Sequence, residues 1–152
     1  MNRKISYAII ACIIFITIKC ANTSSDNNQK ASSKKDTATA SDEGIGRFAN
    51  IQLSTPPDTQ MAAQGQAIYN VKCLACHKLS SEKLVGPGWK GVTTRRKPEW
   101  IMNFITNTNV MLDSDLVAQQ LMVTCLIRMP VQNLKDDEAR NVLEFMRKND
   151  SE

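Results

Sequence analysis

The run Cys73-Leu74-Ala75-Cys76-His77 constrains this 152-residue chain more than any other feature. Two thiols three residues apart, followed at once by an imidazole, fit the attachment of c-type haem. On a helical turn the thiols lie along one edge, each placed to add to one vinyl group of the porphyrin. The histidine, four residues after Cys73, projects from the same edge toward the iron. The chain has a single histidine, so an imidazole ligand has to be His77. Two other chemistries use the same residue types. A zinc site would draw its four ligands from Cys73, Cys76, His77 and Cys125, two of them adjacent in sequence and awkward to place on one tetrahedron. A thioredoxin-like dithiol expects a strand before the motif, where this sequence reads as helix, and a plain disulfide leaves His77 without a role.

Covalent haem requires export to the compartment where it is attached, and the first residues carry an export signal. Asn2-Arg3-Lys4 is positive, and Ile5 to Ile18 is uncharged and apolar but shorter than the roughly 20 residues of a membrane-spanning helix. Residues 1–19 therefore read as a signal peptide. Cys20 follows directly and resembles the lipidated first residue of a mature bacterial lipoprotein, although Thr17-Ile18-Lys19 departs from the preferred order of Leu, a small residue, then Gly or Ala. Cys12, inside the apolar run, then has no mature role. Residues 20–43 read as a disordered tether: from Asn22 to Glu43 there is no aromatic residue and no aliphatic larger than Ala, too little apolar surface to offset the entropy of ordering. A coil of this length spans on the order of 25 Å root-mean-square.

From Gly44 the sequence mixes glycines with spaced apolar residues until Thr55-Pro56-Pro57, so residues 44–57 read as an arm packed on a folded head at 58–152. Asp58 or Thr59 can cap a helix in which Met61, Gly65, Ile68 and Tyr69 share one face running into Cys73. Pro98 opens a second helix with Trp100, Ile101, Phe104 and Ile105. A third covers Asp115 to Met122, with Asp113 or Ser114 as its cap. The last has Asp136-Asp137-Glu138 in its first turn and Ala139, Val142, Leu143 and Met146 as its stripe. The fold class expected is all-α, about four helices packed around one covalent haem. A head of about a hundred residues gains from the apolar bulk of a porphyrin.

In this order of elements, with Gly86-Pro87-Gly88-Trp89 after the motif, Arg95-Arg96-Lys97-Pro98-Glu99-Trp100-Ile101 beyond it and Met129-Pro130 before the last helix, the chain resembles class I monohaem cytochromes c of the small lipoprotein type. The likeness covers about residues 58–149. It implies one covalent haem c, with the Pro87 carbonyl accepting the Nδ1 proton of His77 and so keeping Nε2 for the iron. Six thioethers lie downstream of the tether, those of Met61, Met102, Met111, Met122, Met129 and Met146. The resemblance selects Met129 as distal ligand ahead of Met122 and Met111. It also gives Trp100, and less directly Trp89, a place against the macrocycle or an indole N–H for a propionate. Cys125 departs from the family's usual pattern, either as a small buried hydrophobe or as a thiol able to compete for iron or pair between molecules.

The function implied is one-electron transfer by a periplasmic carrier, not an enzyme, serving a respiratory redox partner and held to a membrane through a lipid at Cys20. Lys72, Lys78, Lys83, Lys90, Arg95, Arg96 and Lys97 crowd around the motif against Glu82, which suits a partner with an acidic docking surface. Nucleic acid is a poor partner for an exported chain. The alternatives are a haem-based sensor or peroxidase-like module with a labile distal ligand and, further off, a zinc or thiol-redox module.

Overall fold

The structure is a computed structural model that describes residues 42–152. The signal peptide, Cys20 and the tether up to residue 41 lie outside the described residues. Helix α1 (Thr59–Lys72) opens at Asp58, whose carboxylate accepts the Met61 N–H at 2.8 Å and so satisfies one of the donors that every helix start leaves unpaired. Helix α6 (Asp136–Ser151) has the expected acidic first turn, and Glu138 reaches back to the Lys135 N–H at 2.8 Å. Ala139, Val142, Leu143 and Met146 are buried along its stripe.

These two helices pack together at Gly65. A Cβ there would stand 2.0 Å from the Asn141 carbonyl oxygen and 2.9 Å from Phe145 Cβ, so the close approach of the two backbones requires glycine. Beside the contact, the fully buried carboxylate of Glu144 accepts from Arg140 at 2.9 Å, from Arg147 at 2.6 Å and from the Asp58 N–H at 3.2 Å. A buried charge is tolerable on these terms, with two guanidinium groups and an amide sharing it.

Helix α3 (Pro98–Thr106) starts at its proline as expected. Helix α5 (Leu116–Cys125) corrects the expected cap: Asp115, not Asp113 or Ser114, is extended and accepts the Ala118 N–H at 2.8 Å. Asp113 instead pairs with Arg128 at 2.8 Å. Two short helices, α2 (Val92–Arg95) and α4 (Thr108–Ser114), bring the total among the described residues to six, against about four expected. Neither has a side-chain cap. They are held by distant partners: Asp150 accepts from the Thr93 N–H and hydroxyl at 2.8 and 2.6 Å, and Thr108, Met111 and Leu112 are buried.

Before α1, the chain lies across α3 and α4 as a strap. Asn103 holds it, accepting the Phe48 N–H at 2.9 Å and donating to the carbonyls of Glu43 and Phe48 at 2.9 and 3.0 Å. The Ile51 N–H donates to Glu99 at 2.7 Å, and Arg47 pairs with Asp136 of α6. Ahead of Gly44, Asp42 lies 3.6 Å from the Lys97 ammonium. Among the described residues no helix is long and apolar enough to cross a membrane.

Replacing Gly65 with Ala is expected to destabilise the head by about 1–3 kcal/mol or more through overpacking, read as a lower thermal unfolding midpoint. Gln66→Ala, exposed on the same helix, should change stability by less than about 0.5 kcal/mol, and equal effects of the two would discount the helix contact.

Candidate functional site

The cysteine motif starts where α1 stops. Cys73 is the C-cap, with φ −121° and ψ −33°, so the five residues occupy a turn beyond the helix and not the helix itself. Two bonds keep that turn helix-like: the His77 and Cys76 N–H groups both donate to the Cys73 carbonyl, at 2.9 and 3.0 Å. The spacing argument survives because this one turn preserves the geometry of an i, i+4 pair. Cys73 is buried, and burial pushes its thiol up to about 11, so it is a protonated thiol and not a reactive thiolate.

The loop after the motif folds back onto it. The Val85 and Gly86 N–H groups donate to the Cys76 carbonyl at 3.3 and 2.9 Å, and the Trp89 N–H donates to the Lys78 carbonyl at 2.9 Å. This brings the Pro87 carbonyl 2.9 Å from His77 Nδ1. A carbonyl can only accept, so Nδ1 carries the proton and Nε2 keeps its lone pair. The approach needs Gly86, since a Cβ there would sit 2.3 Å from His77 Cε1. Burial lowers the imidazole pKa, with the Pro87 bond opposing that shift, and the ring is held neutral as a metal ligand must be. Tyr69 donates to the His77 carbonyl at 2.6 Å, and Trp89 packs its ring 5.8 Å from the imidazole and 4.8 Å from Tyr69.

An apolar crevice opens beside the imidazole in two lobes whose walls share Cys76, His77, Pro87, Phe104, Leu121 and Met129. Cys73, Trp100, Ile101 and Met146 line the inner lobe, and Val85, Met122, Cys125 and Ile127 the outer one. The six thioethers are thereby sorted. Met61 and Met102 line neither lobe. Met111 is fully buried, and its sulfur accepts the Ile45 N–H of the strap at 3.0 Å. Met146 lies in one lobe, Met122 in the other, and Met129 in both.

Of the two parts the resemblance offered Trp100, it takes the first: its ring stands in the crevice wall, and its N–H is given to the protein. Its indole N–H donates to the buried Asp115 carboxylate at 3.3 Å, so the residue meets the crevice as a ring, stacked on Phe104 at 5.0 Å with 8° between planes, and not as a propionate donor. Sequence reasoning did not pair Asp115 with Trp100, and it read Phe104 only as a core residue of the helix. The i, i+4 spacing of Trp100 and Phe104 was the available signal for their stacking.

The basic residues also divide. Lys72, Arg95 and Arg96 line the inner lobe, where Lys72 also donates to the Gln132 carbonyl at 3.0 Å, Arg95 to the Lys90 carbonyl at 2.8 Å, and Arg96 lies 5.2 Å over the Trp100 ring. Lys78 pairs with Glu82, Lys97 with Asp42, and Lys83 and Lys90 donate to the Thr124 and Asn149 carbonyls. Among the described residues no three His, Cys, Asp or Glu side chains gather as a metal cluster, and Cys125 stands in the outer lobe with Val85, Met122 and Ile127.

The donor set fits haem: two thiols for its vinyl groups, an imidazole of fixed tautomer for its iron, apolar walls for its ring and guanidinium groups for its carboxylates. An all-helical head folded around such a crevice has the architecture of a protein that keeps its porphyrin by covalent bonds. A family model, Cytochrome c, matches residues 62–150, and the chain belongs to the cytochrome c family. It carries covalently bound c-type haem. It is similar to the cytochrome c from Rhodothermus marinus, with 34% identity, TM-score 0.69, and cover of 72% of this chain and 94% of that one. An engineered cytochrome c from the same organism matches at 32% identity and TM-score 0.69, covering 73% of this chain and 96% of its own. A form of it bound to a carbene intermediate gives 32%, 0.66 and the same cover. No curated protein matches.

With Cys73 and Cys76 both changed to Ala, haem should extract into acid and organic solvent, whereas the unchanged protein should retain its colour. Colour retained by the double variant would contradict attachment through these thiols.

Proposed function

We propose that this cytochrome is an exported one-electron carrier whose iron is held by His77 and Met129. The observation carrying this reading is that Met129 is the methionine present in the walls of both crevice lobes together with His77, while Met111 is engaged by the strap. Haem, when bound, supplies a one-electron couple between Fe(II) and Fe(III). The chain's residues do the rest. His77 offers a neutral nitrogen oriented by Pro87, Met129 offers a soft neutral thioether, and the walls around Trp100, Ile101 and Phe104 exclude water. With His77 and Met129 both given to the iron, no place would be left on it for a substrate, which supports a carrier and not an enzyme.

The same reading places the protein on the periplasmic side, as the positive and apolar first residues support, with Cys20 as a lipid anchor and residues 20–43 as its tether. Its redox partner presents acidic groups to Lys72, Arg95 and Arg96 beside the crevice. Contact of this kind is small and dissociates quickly, as a shuttle requires.

Met129→Ala is expected to lower the midpoint potential and open the reduced iron to CO, while the unchanged protein shows c-type absorption bands unaffected by CO. An unchanged potential would move the ligand to Met122. Electron transfer to an acidic redox protein should slow about tenfold or more at low salt in Lys72→Glu/Arg96→Glu, with the difference shrinking as ionic strength rises. A rate indifferent both to salt and to charge reversal would rule out this docking face.

A further inference from the structure

Helix α5 carries the chain into the segment that holds Met129, and Leu121, Met122 and Cys125 on its inner face line the crevice. Ala118 is its one buried residue, Leu116 and Val123 are 51% and 63% exposed, and its main helix neighbour is the seven-residue α4. At the junction stands Asp115, 2% exposed. Its N–H closes α4 on the Met111 carbonyl at 2.8 Å, and its Oδ1 opens α5 by accepting the Ala118 N–H at 2.8 Å. The same oxygen accepts the Trp100 indole N–H at 3.3 Å.

Capping alone does not account for that burial. Asp58 caps α1 equally well from an exposed position, at the same 2.8 Å. A carboxylate withdrawn from water loses hydration that an exposed cap keeps, and the additional partner it meets inside is the indole of a crevice-wall residue. Downstream, the chain turns at Leu126, in the left-handed region at φ +58°, and Arg128 is tied back to Asp113 at 2.8 Å and to the Asn109 carbonyl at 3.2 Å. The segment carrying Met129 is thus referred twice to the α4–α5 junction, once outside through Arg128 and once inside through Asp115.

We propose that Asp115 is a positioning residue for the distal ligand: its carboxylate fastens α5 to Trp100 of α3 and so fixes where the Met129 segment meets the crevice. The inference rests on the reading of Met129 as that ligand. The indole N–H is given to the protein frame, so the distal side gains an internal brace.

The test uses the haem-loaded protein and reads the CO-binding rate of the reduced form, the midpoint potential and the thermal midpoint. Asp115→Ser keeps a hydroxyl able to cap α5 but too short to reach the indole. Trp100→Phe keeps a ring and removes the N–H, and Asp115→Asn keeps an oxygen for both donors. Asp115→Ser and Trp100→Phe should each bind CO about tenfold faster and at a lowered potential, and Asp115→Asn should restore both readings. Glu144→Gln, which loosens α6 and Asp58 away from α5, should lower the thermal midpoint and leave CO binding unchanged. Wild-type CO binding in Asp115→Ser and Trp100→Phe, with free binding in Met129→Ala, would remove Asp115 from this role and leave the ligand in place. If Met129→Ala also excludes CO, the ligand assignment itself falls. An Asp115→Asn variant behaving like Asp115→Ser would overturn the hydrogen-bond basis of the proposal.

Discussion

The hydrogen bond from His77 Nδ1 to the Pro87 carbonyl is the interaction on which the rest of the site depends. It joins the turn carrying both cysteines to the loop closing over it, at the one place where the chain's only imidazole can be used. Each feature around it serves the same geometry. Gly86 lets the loop approach, Cys76 receives two loop amides on its carbonyl, and Tyr69 holds the His77 carbonyl from α1. Burial would by itself leave the ring free to choose its tautomer. The carbonyl removes that choice, so Nε2 is the nitrogen that keeps its lone pair. A ligand nitrogen fixed by its own second bond need not reorient when the metal changes charge, which is what a one-electron couple asks of its surroundings.

Different elements support the two sides of the crevice. The proximal turn hangs from α1, which packs on α6 through Gly65, and the buried Glu144 ties α6 to Asp58 and through Arg147 to Ser54. Every member of that frame is tied to another within it. On the other side, the segment carrying Met129 follows a helix whose Leu121, Met122 and Cys125 line the crevice, and it is fastened to the frame at Asp115 and Arg128.

How much of this the sequence disclosed follows from the range of the interactions. The cysteine turn and the helices α1, α3 and α6 depend on residues within about one to three turns of one another, or on a stripe long enough to read, whereas the Pro87 carbonyl came only with the family resemblance. The crossing at Gly65 was legible as a small residue on an apolar face, though the identity of its neighbour, Asn141, was not. Helices α2 and α4 escaped because nothing local caps them. Asp150 holds the first from 57 residues away, and the strap's Ile45 bonds Met111 across 66. Trp100 illustrates the same limit at the site. Its ring was placed correctly at the crevice, but the partner of its N–H, 15 residues on, was set by how α4 turns into α5.

The outer lobe poses a choice between two kinds of sulfur, because Cys125 shares its wall with Met122 and Met129. Charge decides which suits a carrier. A thiolate would place a full negative charge on the iron, favouring Fe(III) and drawing the potential down, whereas a thioether adds none. On the reading of Met129 as the ligand, the segment beyond Cys125, tied at Arg128, brings forward the sulfur that can bind without charge.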